Sequence, residues 1–260
     1  MAVVWQALLA VVAGVALTPA HRIVLAATVW LAYVADRWIE GWHVHWRDIR
    51  TQRHHFYQRH RWPVAAVWVI VAGADVALSF TQLSDRDVIA GAVLIAPVLL
   101  YLLSHQLVHR RHPWRAPKEV CVAALLTGGV CVFLSASPHL APLVPAASLF
   151  ALLCFANCAL ISAWEREVDL SHGQTSLAID IDAREHRWAF SQLPWLVVVL
   201  AVAASVEASA ASGVVSACAA ASGLLLVAVD HIERRTGWKL ARVLADAALL
   251  TPLVPLWWMR

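Results

Sequence analysis

Apolar residues fall in nine runs, about 3–20, 22–36, 63–82, 88–108, 118–136, 140–163, 191–210, 212–230 and 241–258, separated by short polar segments. None of them alternates apolar with polar positions, and Ala and Leu dominate, so the runs predict helices and not the strands of a β-barrel. A helix needs roughly 20 mostly apolar residues to cross the hydrocarbon of a bilayer and satisfies its backbone groups internally, as lipid demands. The pattern therefore predicts an all-α, polytopic membrane protein with about nine transmembrane helices, forming one domain over residues 1–260. No Lys or Arg precedes the first run. It reads as a permanent span and not as a secretory signal.

Composition agrees. Hydrophobic residues make up 61% of the chain and charged ones 14%, whereas a soluble domain carries about a quarter charged residues. Too little charge is present to coat a water-facing globule of this length. The five cysteines lie inside the apolar runs without a CxxC pair; they read as small packing residues, with no disulfide framework.

Charge changes the picture by its distribution. Of the 20 Lys and Arg, all but Arg22, Arg86 and Arg260 fall in segments 37–62, 109–118, 164–188 and 231–242. With nine spans these segments follow helices 2, 4, 6 and 8 and share one side. The positive-inside rule makes that side cytoplasmic. The N-terminus is then inside and the C-terminus outside, with any site for a charged ligand facing the cytoplasm. The layout is that of a multi-pass protein of a membrane such as the bacterial inner membrane.

Two acidic pairs lie on this basic side: Asp36 and Glu40 at the end of the second run, Glu165 and Asp169 at the end of the sixth. A spacing of four puts each pair on one helical face, where like charges repel unless compensated. Arg37 and Arg166 could neutralise their neighbours at a solvated helix end. A divalent cation is the other candidate, since Mg²⁺ takes oxygen ligands and often bridges carboxylate to phosphate. After the second pair comes Ser171-His-Gly-Gln-Thr-Ser-Leu177, a glycine turn followed by hydroxyls. Asp75, mid-run, is an ionisable group in the membrane and a functional candidate on that ground.

Together these residues resemble the UbiA superfamily of intramembrane prenyltransferases. The resemblance rests on Asp36 and Glu40, on Glu165-Arg-Glu-Val-Asp169 with Gly173, Ser176 and Leu177 at the spacing of the second family motif, and on Lys118-Glu119. It implies a UbiA-like bundle and Mg²⁺-dependent transfer of a prenyl group from a prenyl diphosphate to a lipophilic or aromatic acceptor within the membrane. Asp36, Glu40, Glu165 and Asp169 would be the catalytic metal carboxylates, and Arg47, Arg50, Arg53, Lys118 and Arg166 the groups on the diphosphate. The expected partners are that diphosphate, its acceptor and membrane lipid; no nucleic-acid motif is present. The sequence departs from the pattern at Ala32, where the family has Asn, at two Glu in place of Asp, and in the His- and Trp-rich stretch 42–62. A catalytically degenerate relative that holds an isoprenoid lipid or pigment, or braces a membrane complex, is the alternative.

The 13 histidines open a further reading. His105, His109 and His112 follow H-x-x-x-H-x-x-H, and His43, His45, His54, His55 and His60 crowd one loop. Imidazole suits iron, copper and zinc, as in membrane lipid hydroxylases and desaturases. The H-x-x-H-H boxes of those enzymes are absent, and the loop reads equally as a basic interfacial segment. Tryptophans near the basic side, Trp62, Trp164 and Trp188 among them, are expected to anchor at the interface.

Overall fold

The computed structural model describes residues 1–43, 52–104, 117–135, 140–171, 175–183, 185–206 and 208–258, apart from the side chains of 40–43, 52–54, 140 and 142. Among these residues the protein is all helical: α1 (Ala2–Ala13), α2 (Pro19–His43), α3 (Gln52–Arg59), α4 (Arg61–Gln82), α5 (Asp85–Leu103), α6 (Lys118–Cys131), α7 (Leu140–Ser171), the single turn α8 (Leu177–Asp180), α9 (Arg187–Val206), α10 (Ala210–Thr236), α11 (Trp238–Ala248) and α12 (Leu253–Trp258). Five of them, α4, α5, α7, α9 and α10, are long and apolar enough to cross a membrane. The chain thus has the character of an integral membrane protein.

Of the remaining apolar runs, the second lies within the 25-residue α2 and the others form shorter or broken helices. The first run stops at Ala13, because Gly14 takes a left-handed conformation (φ 62°) and its N–H caps the carbonyls of Ala10 and Val11; this is the usual glycine stop. At 1.5 Å per residue α1 is only about 18 Å long. The ninth run divides into α11 and α12 around Pro252, which has no N–H to continue the ladder. The break leaves the Leu249 carbonyl without a helical partner, and the Trp5 indole donates to it at 2.8 Å. A second clasp joins the break to α10: Thr251 donates to the Cys218 carbonyl at 3.0 Å and shares a 2.7 Å hydrogen bond with Ser222. Irregular backbone in an apolar interior persists where such donors re-satisfy it.

The chain divides into two compact units. The first comprises Met1–Leu17, Pro117–Arg166 and Ser176–Arg260; the second Thr18–Ala116 and Glu167–Thr175. In the first unit Trp5, Leu8, Leu9, Phe150, Leu153, Leu160, Leu226 and Leu249 are fully buried, and the Trp5 ring lies 4.9 Å from Phe150, tilted by 33°. Here α9 packs closely on α10 where Gly223 leaves room, since a methyl at that position would lie 2.8 Å from Val198 Cγ2 and 3.0 Å from the Pro194 carbonyl oxygen. Small residues let helices approach in this way.

In the second unit α2 pairs with α4. The Trp68 indole donates to the Leu31 carbonyl at 2.9 Å and the Trp38 indole to the Arg61 carbonyl at 3.0 Å. Thr28 donates to Asp75 at 2.9 Å, so the mid-helix acid of α4 faces a hydroxyl of α2. Helix α5 begins at Ser84, whose hydroxyl accepts from the Asp87 N–H, and Asp85 and Asp87 occupy its first turn; this favours the positive end of the helix dipole. Yet α4 and α5 bury none of their described residues. Two long, largely apolar helices with no described residue fully buried by protein are understandable when lipid is the solvent.

Candidate functional site: buried acids at the polar helix ends

Helix α7 carries the second acidic pair on its last turns. Glu165 is 5% exposed and Asp169 3%. Ionised carboxylates are buried only where cations or hydrogen bonds compensate them. Arg242 of α11 supplies this for Glu165, donating at 2.8 Å. Arg166 reaches forward to Asp182 at 3.0 Å. Asp182 sits at φ 44° in the turn after α8, a backbone conformation that Asp tolerates better than most residues. Glu165 is thus paired with an arginine 77 positions away along the chain, while the adjacent Arg166 is directed to Asp182.

The segment after this pair is anchored from two helices of the first unit. Glu119, on the first turn of α6 and 2% exposed, accepts the Leu177 N–H on both carboxylate oxygens at 3.2 Å. Ser162 of α7 accepts the Ala178 N–H at 3.3 Å. Ser176, 1% exposed between them, keeps its hydroxyl unpartnered among the described residues. Of the residues that carried the resemblance, the structure therefore brings together Glu119, Ser176 and Leu177. Gly173 lies outside the described residues.

The first acidic pair ends α2 in the second unit. Asp36 is 8% exposed and accepts from Arg37 at 2.9 Å; the Arg37 guanidinium also stands 5.7 Å from the centre of the Tyr33 ring. Here the adjacent arginine does neutralise its neighbour. Glu40 lies on α2, but its side chain is outside the described residues, as is that of Arg53 on α3. Arg47 and Arg50 lie wholly outside them, with His45, His105, His109 and His112. Lys118 opens α6 and is half-buried. Among the described residues no group of three or more His, Cys, Asp or Glu is placed to hold a metal ion. Mg²⁺ in phosphate-handling sites takes only one or two carboxylates, with waters and phosphate oxygens completing its shell. Buried Asp36 and Asp169, both in the second unit, are hard oxygen donors of the required kind.

A second polar network escaped the sequence reading. Asp230 of α10 accepts from the Trp164 indole at 3.0 Å, from Arg187 at 3.3 Å and from Ser191 at 2.6 Å. Arg187 also donates to Glu233 at 3.0 Å. Trp164, expected as an interfacial anchor, is instead 7% exposed and tied to α10, while Trp62 and Trp188 are each 66% exposed. The only signal in the sequence was the gathering of charges near residues 187 and 230; which charge meets which depends on helix packing. No protein-family model, curated protein or solved structure matches this chain.

Proposed function

We propose that this protein is a divergent UbiA-like intramembrane prenyltransferase, moving a prenyl group from its diphosphate to a lipophilic or aromatic acceptor through a nine-span layout with its site on the cytoplasmic side. The observation that carries the reading is the burial of Asp36 and Asp169, the acids at the ends of two apolar helices. A helix end needing only solubility would leave its carboxylates in water. Bound Mg²⁺ would neutralise the diphosphate and help it leave. The protein's own part is to hold the carboxylates in place, with Arg37 fixing Asp36, and to offer apolar helix surface to the isoprenoid tail. Arg47, Arg50, Arg53, Lys118 and Arg166 are the proposed cations for the diphosphate.

A second reading has its own support. Asp36 and Glu165 already hold guanidinium partners at 2.9 and 2.8 Å, so a degenerate relative that binds an isoprenoid without turnover would also keep them ionised. One experiment separates the two: binding of geranylgeranyl diphosphate to the purified chain with Mg²⁺ and with EDTA, for wild type, Asp36→Asn and Asp169→Asn. Metal-dependent binding that both substitutions weaken is the expected result. Metal-independent binding of the lipid would favour the degenerate reading, and no binding in either condition would overturn prenyl transfer.

A further inference from the structure

At the basic end of the first unit, a cavity of about 350 Å³ opens between the start of α9 and the end of α10. This is within the range of small-ligand sites, about 300–1,000 Å³. Arg187, Ser191 and Trp195 line it from α9, Asp230, His231 and Arg234 from α10. Spacings of four on α9, and of three and four on α10, put each set on one helical face.

The charges of this groove are not equivalent. Asp230 is saturated by the donors Trp164, Arg187 and Ser191, and Arg187 is balanced by Asp230 and Glu233. The acid in the wall is thus screened by its own donors. Arg234 and His231 are exposed and have no hydrogen-bond or ion-pair partner among the described residues. The unsatisfied polarity of the groove is cationic and donor-rich.

Below these groups the wall becomes apolar. Trp195 is 45% exposed and lies two turns, about 12 Å, further along α9 than Arg187. Val227 of α10 also lines the groove, and exposed Leu196 and Val199 follow Trp195 along α9 outside it. From the polar end inward the groove therefore presents cation and imidazole, then indole, then aliphatic surface. That order matches the phosphate, glycerol backbone and acyl chain of a phospholipid, and basic recesses between transmembrane helices bind anionic headgroups for this reason.

We propose that the α9–α10 groove is a binding site for an anionic membrane phospholipid, with the headgroup phosphate on Arg234 and His231 and an acyl chain along Trp195 and the surface beyond it. The site does not depend on the prenyl-transfer reading: it uses none of the acids or arginines assigned there. Its role would be to fix α9 and α10 in the membrane through a lipid of defined charge.

Native mass spectrometry of the full chain in detergent, titrated with phosphatidylglycerol and separately with phosphatidylcholine, tests it. Phosphatidylglycerol should bind more tightly than phosphatidylcholine. Arg234→Gln should weaken phosphatidylglycerol by about fivefold, the worth of one cation near a membrane surface, and Arg234→Glu by more. Arg234 has no partner to lose, so both variants should elute and melt as wild type. Lys239→Gln is the control: Lys239 stands 5.5 Å over the Trp238 ring and does not line the groove, so its loss should leave binding unchanged. Equal retention of the two lipids, or equal loss in Arg234→Gln and Lys239→Gln, would overturn the proposal. Displacement of the lipid by inorganic phosphate at millimolar concentration would identify a free-anion site and also overturn it.

Discussion

The contact between α9 and α10 determines whether the groove between them exists, and Gly223 tests that contact directly. A methyl at Gly223 would meet Val198 Cγ2 at 2.8 Å and the Pro194 carbonyl oxygen at 3.0 Å. Carbon atoms prefer roughly 3.5–4.0 Å, so the first contact is too short by about 0.7 Å or more. Val198 is β-branched and stiff, and the Pro194 oxygen belongs to the backbone, so relief requires the helices to part. Overpacking of this kind costs about 1–3 kcal/mol, and Ala regains up to about 1 kcal/mol of helix propensity over Gly. Gly223→Ala should therefore destabilise by about 1–2 kcal/mol. Gly73 on α4 and Gly91 on α5 are internal controls, because a methyl there meets nothing within 4 Å. Gly73→Ala and Gly91→Ala should be neutral or stabilising by up to about 1 kcal/mol. Reversible unfolding in mixed detergent micelles, followed by tryptophan fluorescence, reads all three. If Gly223→Ala is as stable as the two controls, α9 and α10 do not approach as described, and the lipid groove falls with that contact.

Two further outcomes follow from the first unit. Trp5→Phe keeps most of the ring but removes the donor to the Leu249 carbonyl; leaving that oxygen unsatisfied in an apolar core should cost about 1–3 kcal/mol, and Trp5→Ala about 3–5 kcal/mol, by the same unfolding assay. Equal stability of wild type and Trp5→Phe would show that the break between α11 and α12 needs no such donor. Arg242→Met should cost about 2–3 kcal/mol, less than the 3–5 typical of breaking a fully buried pair, because the arginine side chain is 23% exposed and partly screened. Glu165→Gln should cost less than Arg242→Met, and the double variant should recover part of the loss in a double-mutant cycle. A coupling energy near zero would show that the pair contributes nothing to α7–α11 packing.

Much of the helical layout was legible in the sequence. Each of the nine apolar runs contains a helix, since run length and the lack of alternation are local properties. Run length did not reveal where helices stop. The end of α1 at Ala13 and the gap before Leu253 lie inside continuous apolar stretches, and only the backbone of Gly14, the missing amide of Pro252 and the donors that satisfy the freed carbonyls separate a span from a broken helix. The acidic pairs were visible from spacing, and the Asp36–Arg37 pairing from adjacency. The partner of Glu165 was not, because nothing local to residue 165 points to residue 242. The same holds for Trp164, which composition assigns to the interface and packing assigns to Asp230.

By itself the sequence determined the apolar character of the helices and the grouping of charges into a few polar segments between the apolar runs, because hydrophobicity and charge add along the chain without reference to fold. Only the tertiary structure decided which acids are compensated by which cations, and which cations remain available to a ligand. Pairing of that kind depends on distances of a few ångströms between residues tens of positions apart, set by how helices such as α7, α9, α10 and α11 pack.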